Sequence, residues 1–456
     1  MNRFSKVLAS LILVAGIAVA NETPIVLKDY TARGFAPDLV SYRIAVPKGG
    51  IDQLSLQGPN GQPALVQVSS PVSNGFATIS FVAELPANTS LTYRVSDTVA
   101  RPGMPVAVKV TRGNDGIILE NGLFGIRLPA LTNQKFAKPV PANTIPAPIQ
   151  AFHSGTGPWL GAGRILTTRP VSTVRVELLA DGPVYATVRY ELTFANGGYY
   201  RATIQVIDQV PVAKVREEFD AHELDGKDYW ELSLTAGWTP DMIEIANATS
   251  GGGVELDSTA AITTLGVTPD PIKPAWFIIP DSSWYAPRTM LGVFNAADRT
   301  ANTNGYPVVG FVPLNKGDWR RALGIEIHTP DSKQINLQLP MTLRHASWLR
   351  EVTSETSPFS CLEHENALPT TYGRRVWGLV LAHPATRGLA MARGTPRGPL
   401  AAARLLYGII SLDRYKDYQL EWPDSKTTYP RVFLKPDQIP QLRKTVSQSP
   451  IANLRG

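Results

Sequence analysis

The sequence predicts a mainly β protein with a small N-terminal β-barrel, a large antiparallel β-sandwich or supersandwich after it, and a short helical C-terminal segment. Apolar and polar residues alternate along most of the chain, which is the period of a strand and not of a helix. The 37 glycines and 38 prolines supply frequent turns without marking low complexity. The turn Asn196-Gly197-Gly198 separates two alternating runs, which is a strong signal for a β-hairpin.

The small barrel is predicted over residues 21–112. Short alternating runs at 40–46, 64–68 and 77–82 have the pattern of strands, and turn-forming residues separate them. A connector that contains two prolines then leads from 97 to 116.

The large sandwich is predicted over residues 113–404. Alternation is regular at 174–178, 184–190 and 199–206, and shorter alternating runs follow. A β region of this length favours stacked sheets in a supersandwich, although two consecutive smaller sandwiches fit the same pattern. Residues 405–456 are predicted to be a linker and the start of a helical region, with a truncated helical domain as one interpretation.

Residues 1–20 have the pattern of a Sec-type signal peptide. Arg3 and Lys6 form a basic start, an apolar run occupies 7–19, and small residues precede a cleavage site after Ala20. The pattern predicts a secreted or periplasmic protein. No later run approaches the ~20 apolar residues of a membrane helix, so no integral membrane span is predicted.

Composition excludes several classes. Aromatic residues make up 8% of the chain and charged residues 18%, which argues against disorder as the main state. The net charge of +6 is too small to indicate a nucleic-acid partner. The lone Cys361 excludes an intrachain disulfide and a multi-thiolate metal site. No nucleotide-binding, metalloprotease or serine-hydrolase motif is present, so no cofactor and no metal is predicted.

The first cluster that could carry chemistry is the glycine-rich segment 152–164. It contains His153, Trp159 and Arg164. A Trp face can stack on a sugar ring, an Arg can hold a carboxylate through two hydrogen bonds, and Gly lets the backbone approach a ligand. The alternative interpretation is a long hairpin loop with a packed Trp.

The second cluster covers 361–366 and 371–377. Acidic residues flank His364, and Tyr372 precedes two arginines at the start of an apolar run. A neighbouring carboxylate orients a His, and a Tyr can transfer a proton when an Arg stabilises its phenolate. The alternative interpretation is a solvated charged loop that leads into a strand.

A third, acidic cluster contains Glu217, Glu218, Asp220 and His222. Paired carboxylates beside a His could form a glycosidase or cation site. Adjacent residues of a strand point to opposite faces of the sheet, however, so Glu217 and Glu218 cannot both face one site. A sheet-surface role is favoured over a catalytic one.

A series of loose motifs runs through the first two thirds of the chain. They are Val46-Pro47-Lys48-Gly49-Gly50, Gly58-Pro59-Asn60-Gly61-Gln62-Pro63, Ala83-Glu84-Leu85-Pro86-Ala87, Glu120-Asn121-Gly122-Leu123 and Gly182-Pro183-Val184. Their types and order resemble the N-terminal barrel and central β-sandwich of the exo-rhamnogalacturonan lyase family. Near the C-terminus, residues 429–443 resemble the entry to the α/α-toroid of heparinase-like and alginate-lyase-like enzymes.

Both resemblances imply β-elimination on a uronic-acid polysaccharide, with an acidic polysaccharide or oligosaccharide as the partner. That chemistry needs a cation for the uronate carboxylate, a base for the C5 proton and an acid for the leaving oxygen. By residue type, the catalytic candidates are His153, His364, Tyr372 and Arg374. The substrate-binding candidates are Trp159, Arg164, Arg375 and Glu363.

Two other functions fit the same residues. One is a noncatalytic carbohydrate-binding or surface β protein. The other is a glycoside hydrolase whose acids are among Glu217, Glu218, Glu363 and Glu365. The sequence therefore leaves open whether the chain is an enzyme.

Overall fold

The computed structural model describes part of the chain, and every structural statement below concerns that part. The described residues are 23–46, 50–96, 107–222, 228–240, 242–246, 251–255, 282–285, 290–294, 308–314, 326–329, 334–342, 372–382, 399–409, 411–417 and 440. The chain divides into two compact units, Met1–Lys416 and Asp417–Gly456. All elements named below belong to the first unit.

Strands make up most of the described residues. In the first half they are β1 (Thr23–Lys28), β2 (Phe35–Ala45), β3 (Ser55–Gln57), β4 (Pro63–Ala64), β5 (Gln67–Ser73), β6 (Phe76–Leu85), β7 (Ser90–Ser96), β8 (Lys109–Gly113), β9 (Gly116–Glu120), β10 (Phe124–Leu128), β11 (Thr132–Pro141), β12 (Ala151–Ser154) and β13 (Ala162–Ile165). Short 3-10 turns lie at Ile51–Gln53 and Ala142–Thr144.

The remaining described strands are β14 (Pro170–Asp181), β15 (Tyr185–Phe194), β16 (Tyr199–Ile207), β17 (Val212–Asp220), β18 (Tyr229–Ser233), β19 (Met242–Ala246), β20 (Gly251–Glu255), β21 (Ser282–Tyr285), β22 (Met290–Phe294), β23 (Val308–Pro313), β24 (Glu326–Thr329), β25 (Asn336–Pro340) and β26 (Tyr372–Ala382). Helix α1 (Pro399–Arg404), a π-helical turn (Leu405–Ile409) and helix α2 (Leu412–Tyr415) follow. No described helix is long and apolar enough to cross a membrane.

The strands form five antiparallel sheets. Sheet A has the order β1-β7-β3-β4 and sheet B the order β2-β6-β5. Sheet C has the order β12-β10-β9-β8. Sheet D contains ten strands in the order β11-β14-β15-β16-β17-β26-β23-β22-β19-β20, and sheet E has the order β13-β18-β25-β24-β21.

Sheet D is one layer of a large sandwich, and sheets C and E face it. Because side chains alternate along a strand, one set from each sheet points into the shared core. Tyr200 and Phe219 enter it from sheet D, Trp230 from sheet E and Phe152 from sheet C, each with 0% exposed. The other set in each sheet points outward, away from this core.

The N-terminal sheets attach to the outer face of sheet D. The side-chain oxygen of Gln67 accepts hydrogen bonds from the backbone nitrogens of Val184 and Tyr185, at 3.2 and 2.9 Å. Lys214 Nζ on β17 lies 2.9 Å from the buried Asp38 carboxylate on β2. Helix α1 packs its apolar residues in the same region of sheet D.

The predicted fold class is confirmed, and one detail of it is wrong. The described chain is mainly β, with antiparallel sheets and short helices near its C-terminal end. The N-terminal strands do not close into a barrel, because they divide between sheets A and B. Strands from 132 to 382 share one ten-stranded sheet, which fits a supersandwich and not two consecutive sandwiches. The domain boundaries stay predictions, and the segment 429–443 lies outside the described residues except for residue 440.

Candidate functional site

The outer face of sheet E is polar. Strand register places Arg164, Glu231, Gln338 and Glu326 in one row across four strands. The neighbouring row contains Ala162, Ser233, Asn336 and His328. The alternate residues of the same strands are apolar and enter the sandwich core. Because successive side chains of a strand point to opposite faces, the polar residues lie together on the outer face.

This face forms the floor of a cleft of about 700 Å³. The turn after β18, at residues 235–239, and Gln334, which precedes β25, complete the cleft. The described lining residues are Ala162, Arg164, Glu231, Ser233, Thr235, Ala236, Gly237, Trp238, Thr239, Gln334 and Asn336. The volume lies within the range of small-molecule sites, roughly 300–1,000 Å³.

Glu231 is the central charged group of the floor. Its side chain is 2% exposed, whereas the partner Arg164 is 64% exposed. Arg164 Nε and Nη2 lie 2.8 and 2.7 Å from Glu231 Oε1. Gln338 Nε2 donates to Oε2 at 3.0 Å, and His328 Nδ1 lies 3.5 Å from the same oxygen. The carboxylate is therefore held from three strands while its cation stays at the cleft mouth.

Asn336 is the second buried polar group of the floor. The residue is 2% exposed, and its Oδ1 atom has no hydrogen-bond partner among the described residues. A buried acceptor without a partner costs free energy, so such atoms are uncommon and often mark a ligand or water position. Trp238 is fixed at the wall, because its Nε1 donates to the Leu234 carbonyl at 2.8 Å.

The predicted segment 152–164 adjoins this cleft. Gly161 N donates to the Ala236 carbonyl at 2.8 Å, and a Cβ atom on Gly237 would lie 3.5 Å from the Trp159 carbonyl oxygen. The segment therefore packs against the turn that carries Trp238. Of its three predicted site residues, Arg164 alone is a described lining residue of the cleft.

His153 lies on the outer face of sheet C. Its Nε2 is 3.3 Å from Glu120 Oε1, and its Nδ1 is 2.9 Å from the Gly155 carbonyl oxygen. Gly125 lies on β10, between β12, which carries His153, and β9, which carries Glu120. A Cβ atom at Gly125 would come within 2.2 Å of the imidazole. Glycine at this position therefore leaves room for the His153–Glu120 contact.

Trp159 is packed by protein groups. Its ring lies 4.5 Å from the His153 ring in an edge arrangement, and the Arg127 guanidinium lies 4.4 Å from its centroid. These contacts occupy an aromatic surface that a sugar would need for stacking. The contacts favour the alternative of a packed Trp in a hairpin loop over a free stacking platform.

Tyr372 and Arg374 lie on the outer face of sheet D, on the opposite side of the sandwich from Arg164. One row across five strands alternates in charge: Arg175, Glu191, Arg201, Glu218 and Arg374. The Tyr372 hydroxyl donates to Glu218 Oε1 at 3.1 Å. Burial, followed by the neighbouring Glu218 charge, raises the pKa of Tyr199 to about 12.

Arg375 points to the other face of β26, into the core. It is 0% exposed and forms an ion pair with Glu217, which is also 0% exposed. Glu217 also accepts hydrogen bonds from Tyr200, Trp230 and Trp377. Burial acts to raise the pKa of Glu217, but Arg375 and these hydrogen bonds outweigh burial and hold it below its ordinary value.

The two predicted segments therefore do not meet. The first lies on the layer of sheets C and E, whereas Tyr372 and Arg374 lie on the outer face of sheet D, and Arg375 is inside. Glu363, His364 and Glu365 lie outside the described residues. Sequence reasoning missed Glu231 and Asn336, although polar residues alternate with core residues in both strands.

Comparisons with known proteins give matches in architecture only. No protein-family model and no curated protein matches the chain. An α-mannosidase from Enterococcus faecalis V583 matches with a TM-score of 0.47 and 9% identity, over 84% of this chain and 45% of that one. A glycosyl hydrolase family 38 protein from Enterococcus faecalis matches with a TM-score of 0.43 and 9% identity, over 79% and 44%. The chain thus spans less than half the length of either protein.

The resemblance to exo-rhamnogalacturonan lyases is wrong. The two solved structures named above are an α-mannosidase and a glycosyl hydrolase family 38 protein, and neither is a lyase of that family. The motifs behind the resemblance are short turns rich in Gly and Pro, which recur in many antiparallel β proteins. Since both TM-scores lie below 0.5, the function has to be judged on the residues of this chain.

Proposed function

We propose that this chain is a carbohydrate-active protein and that the cleft over sheet E is its sugar site. The observation that carries the proposal is a set of planar polar side chains that line the cleft, namely Arg164, Glu231 and Asn336. Gln338 supports them by donating a hydrogen bond to Glu231. Sugar hydroxyls both donate and accept hydrogen bonds, so they pair with guanidinium, carboxylate and amide groups alike. Trp238 adds an aromatic wall to these polar groups.

The burial of these groups strengthens the proposal. Glu231 and Asn336 are each 2% exposed although they lie on the outward face of a sheet. A folded chain keeps buried polar groups mainly where they are paired or serve a site, because burial without partners costs free energy. The α-mannosidase and the family 38 glycosyl hydrolase that match in part agree with a carbohydrate-active protein, but the support comes from the cleft.

Calorimetric titration of the full chain with a panel of oligosaccharides tests the proposal. At least one sugar should bind saturably, and Glu231→Gln should weaken binding by about tenfold or more, because a hydrogen bond to a charged group is replaced by one to a neutral group. Glu218→Gln is the matched control, since it makes the same change on the outer face of sheet D. Equal weakening by both variants, or no binding by any sugar, would contradict the proposal.

A glycoside hydrolase is the second candidate. Hydrolysis needs two carboxylic acids, and Glu231 is the acid on the cleft floor. Glu326 occupies the same row two strands away, at a backbone distance of about 10 Å. Inverting enzymes hold their two carboxylates roughly 6.5–9.5 Å apart, and Glu326 is the candidate second acid by its backbone position in the strand register. Release of reducing ends that is abolished by both Glu231→Gln and Glu326→Gln would establish hydrolysis, whereas release that survives either change would exclude this pair.

The acids predicted earlier are less suitable for that role. Glu217 is closed inside the core, and Glu218 lies on the opposite outer face of the sandwich. Export to the periplasm or the medium is also part of the proposal, and it depends on the signal-like residues 1–20. Mass spectrometry of the exported protein should find a chain that lacks these residues, and an intact Met1 would contradict export by this route.

A further inference from the structure

We propose that the cleft selects neutral sugars and discriminates against uronates, a proposal that rests on the cleft being the sugar site. It differs from the sequence-based expectation of an acidic polysaccharide. The ligand class it names is a neutral hexose that presents at least two hydroxyl donors to the cleft floor. The unpartnered Asn336 Oδ1 atom and the balance of charges around Glu231 support it.

The two most buried described lining residues of the cleft, Glu231 and Asn336, both carry hydrogen-bond acceptors. Asn336 Oδ1 is buried and unpartnered among the described residues. Glu231 Oε2 accepts from Gln338, and a carboxylate oxygen can accept two hydrogen bonds. Acceptors on the protein require donors on the ligand. A hydroxyl group supplies a donor, whereas an ionised carboxylate supplies none.

The charges of the cleft also favour a neutral sugar over a uronate. Arg164 is the one cation among the described lining residues, and its Nε and Nη2 atoms both lie against Glu231 Oε1. Its charge is therefore already matched by a carboxylate. A uronate placed on the floor would bring a second anion close to Glu231 with no free described cation to offset it, and like charges in a partly buried site repel.

Paired sugars that differ at one carbon test the selectivity. The probes are neutral hexose disaccharides and the corresponding disaccharides oxidised at C6 to uronates, each titrated calorimetrically into the full chain. We expect the neutral member of a pair to bind at least about tenfold more tightly, which corresponds to about 1.4 kcal/mol. Equal or tighter binding of the uronate would overturn the selectivity and leave the sugar site intact. Absence of binding by both members would overturn the proposed function as well.

Two variants tie the selectivity to named atoms. Glu231→Gln removes the negative charge at nearly constant shape, so the preference for the neutral sugar should shrink by about tenfold. Asn336→Leu removes the unpartnered acceptor, so affinity for the neutral sugar should fall by about tenfold. Unchanged selectivity in the first variant together with unchanged affinity in the second would overturn the assignment of these atoms.

The stability of the Asn336 variant separates a binding role from a structural one. Replacing a buried acceptor that has no protein partner with an apolar group should leave the thermal midpoint unchanged or raise it. Asn133→Leu, on the exposed edge strand β11, is the matched control and should change neither affinity nor midpoint. A lowered midpoint with unchanged affinity in Asn336→Leu would show that the side chain supports the fold and would overturn its role as a ligand acceptor.

Discussion

Two buried carboxylates of this protein pair with arginines but differ in what surrounds them. Glu217 and Arg375 are both 0% exposed, and three further side chains donate hydrogen bonds to Glu217. Glu231 is 2% exposed, but its partner Arg164 is 64% exposed. Burial of a carboxylate therefore does not by itself mark a binding site. What distinguishes Glu231 is that it lines a cleft beside Asn336, whose buried Oδ1 has no partner among the described residues.

The core pair joins the two layers of the sandwich. Trp230 from sheet E reaches Glu217 at 3.0 Å, and Arg375 Nη2 donates to the Pro340 carbonyl of sheet E at 2.7 Å. Hydrogen bonds satisfy the Glu217 carboxylate, whereas Arg375 Nη1 is buried without a partner among the described residues. Removal of either residue would leave the other charge buried without compensation. Glu217 therefore serves the fold, whereas Glu231 is placed to serve a ligand.

Arg375→Ala should have the largest effect on stability. We expect it to lower the free energy of unfolding by about 3–5 kcal/mol, because Glu217 would keep a buried charge without its cation. Denaturant unfolding of wild type and variant measures the effect. The double change Glu217→Met and Arg375→Met is the control, since it removes both charges and should cost less than the single change. A loss below about 1 kcal/mol in Arg375→Ala would mean that the pair is not coupled to the fold.

The free energy of unfolding at acid pH should depend on the same Glu217–Arg375 pair. Arg375 and the hydrogen bonds hold the pKa of Glu217 below its ordinary value, so its contribution is present above the pKa of the unfolded chain and disappears as pH falls through the native pKa. The stability difference between wild type and Glu217→Gln should therefore shrink as pH falls from about 5 to about 2. Denaturant unfolding at several pH values measures this difference, and a constant difference across that window would contradict the lowered pKa.

Arg164→Ala should affect binding much more than stability. Because its guanidinium is largely exposed and screened by water, we expect a loss of about 1 kcal/mol or less in the free energy of unfolding. Sugar affinity should fall by about tenfold, since Glu231 would lose the group that orients it. Thermal unfolding and calorimetric titration of the same preparation measure both quantities. A stability loss as large as that of Arg375→Ala would remove the distinction between the two carboxylates.

A third carboxylate, Glu218, extends the comparison to the surface. Burial and the Glu218 charge raise the pKa of Tyr199 to about 12 from its ordinary value of 10.0, which favours the neutral phenol in the folded chain. The stability that neutral Tyr199 contributes should be complete below pH 10 and disappear as pH rises through about 12. Ultraviolet titration of wild type minus Tyr199→Phe should show one tyrosine that ionises late, and Glu218→Gln should make it ionise earlier. A difference spectrum centred near pH 10 would contradict the effect of Glu218.

The sequence was sufficient to predict the fold class and the opposite orientation of Glu217 and Glu218, because both follow from alternation within single strands. It could not predict the cleft. The hydrogen bond between Gln338 and Glu231 joins residues 107 positions apart, and their meeting depends on the register of two neighbouring strands of sheet E, β18 and β25. Arg374 and Arg375 are adjacent in sequence, but one faces solvent and the other the core, so alternation along β26 separates two arginines that residue type alone had grouped.

A crystal structure of the full chain with its tightest-binding oligosaccharide would show directly whether the cleft over sheet E is the sugar site. We expect electron density for the sugar in the cleft over sheet E, with hydroxyl groups within hydrogen-bond distance of Glu231 and Asn336 Oδ1 and the ring near Trp238. Density on the outer face of sheet D, against Tyr199 and Tyr372, with an empty sheet E cleft, would contradict it.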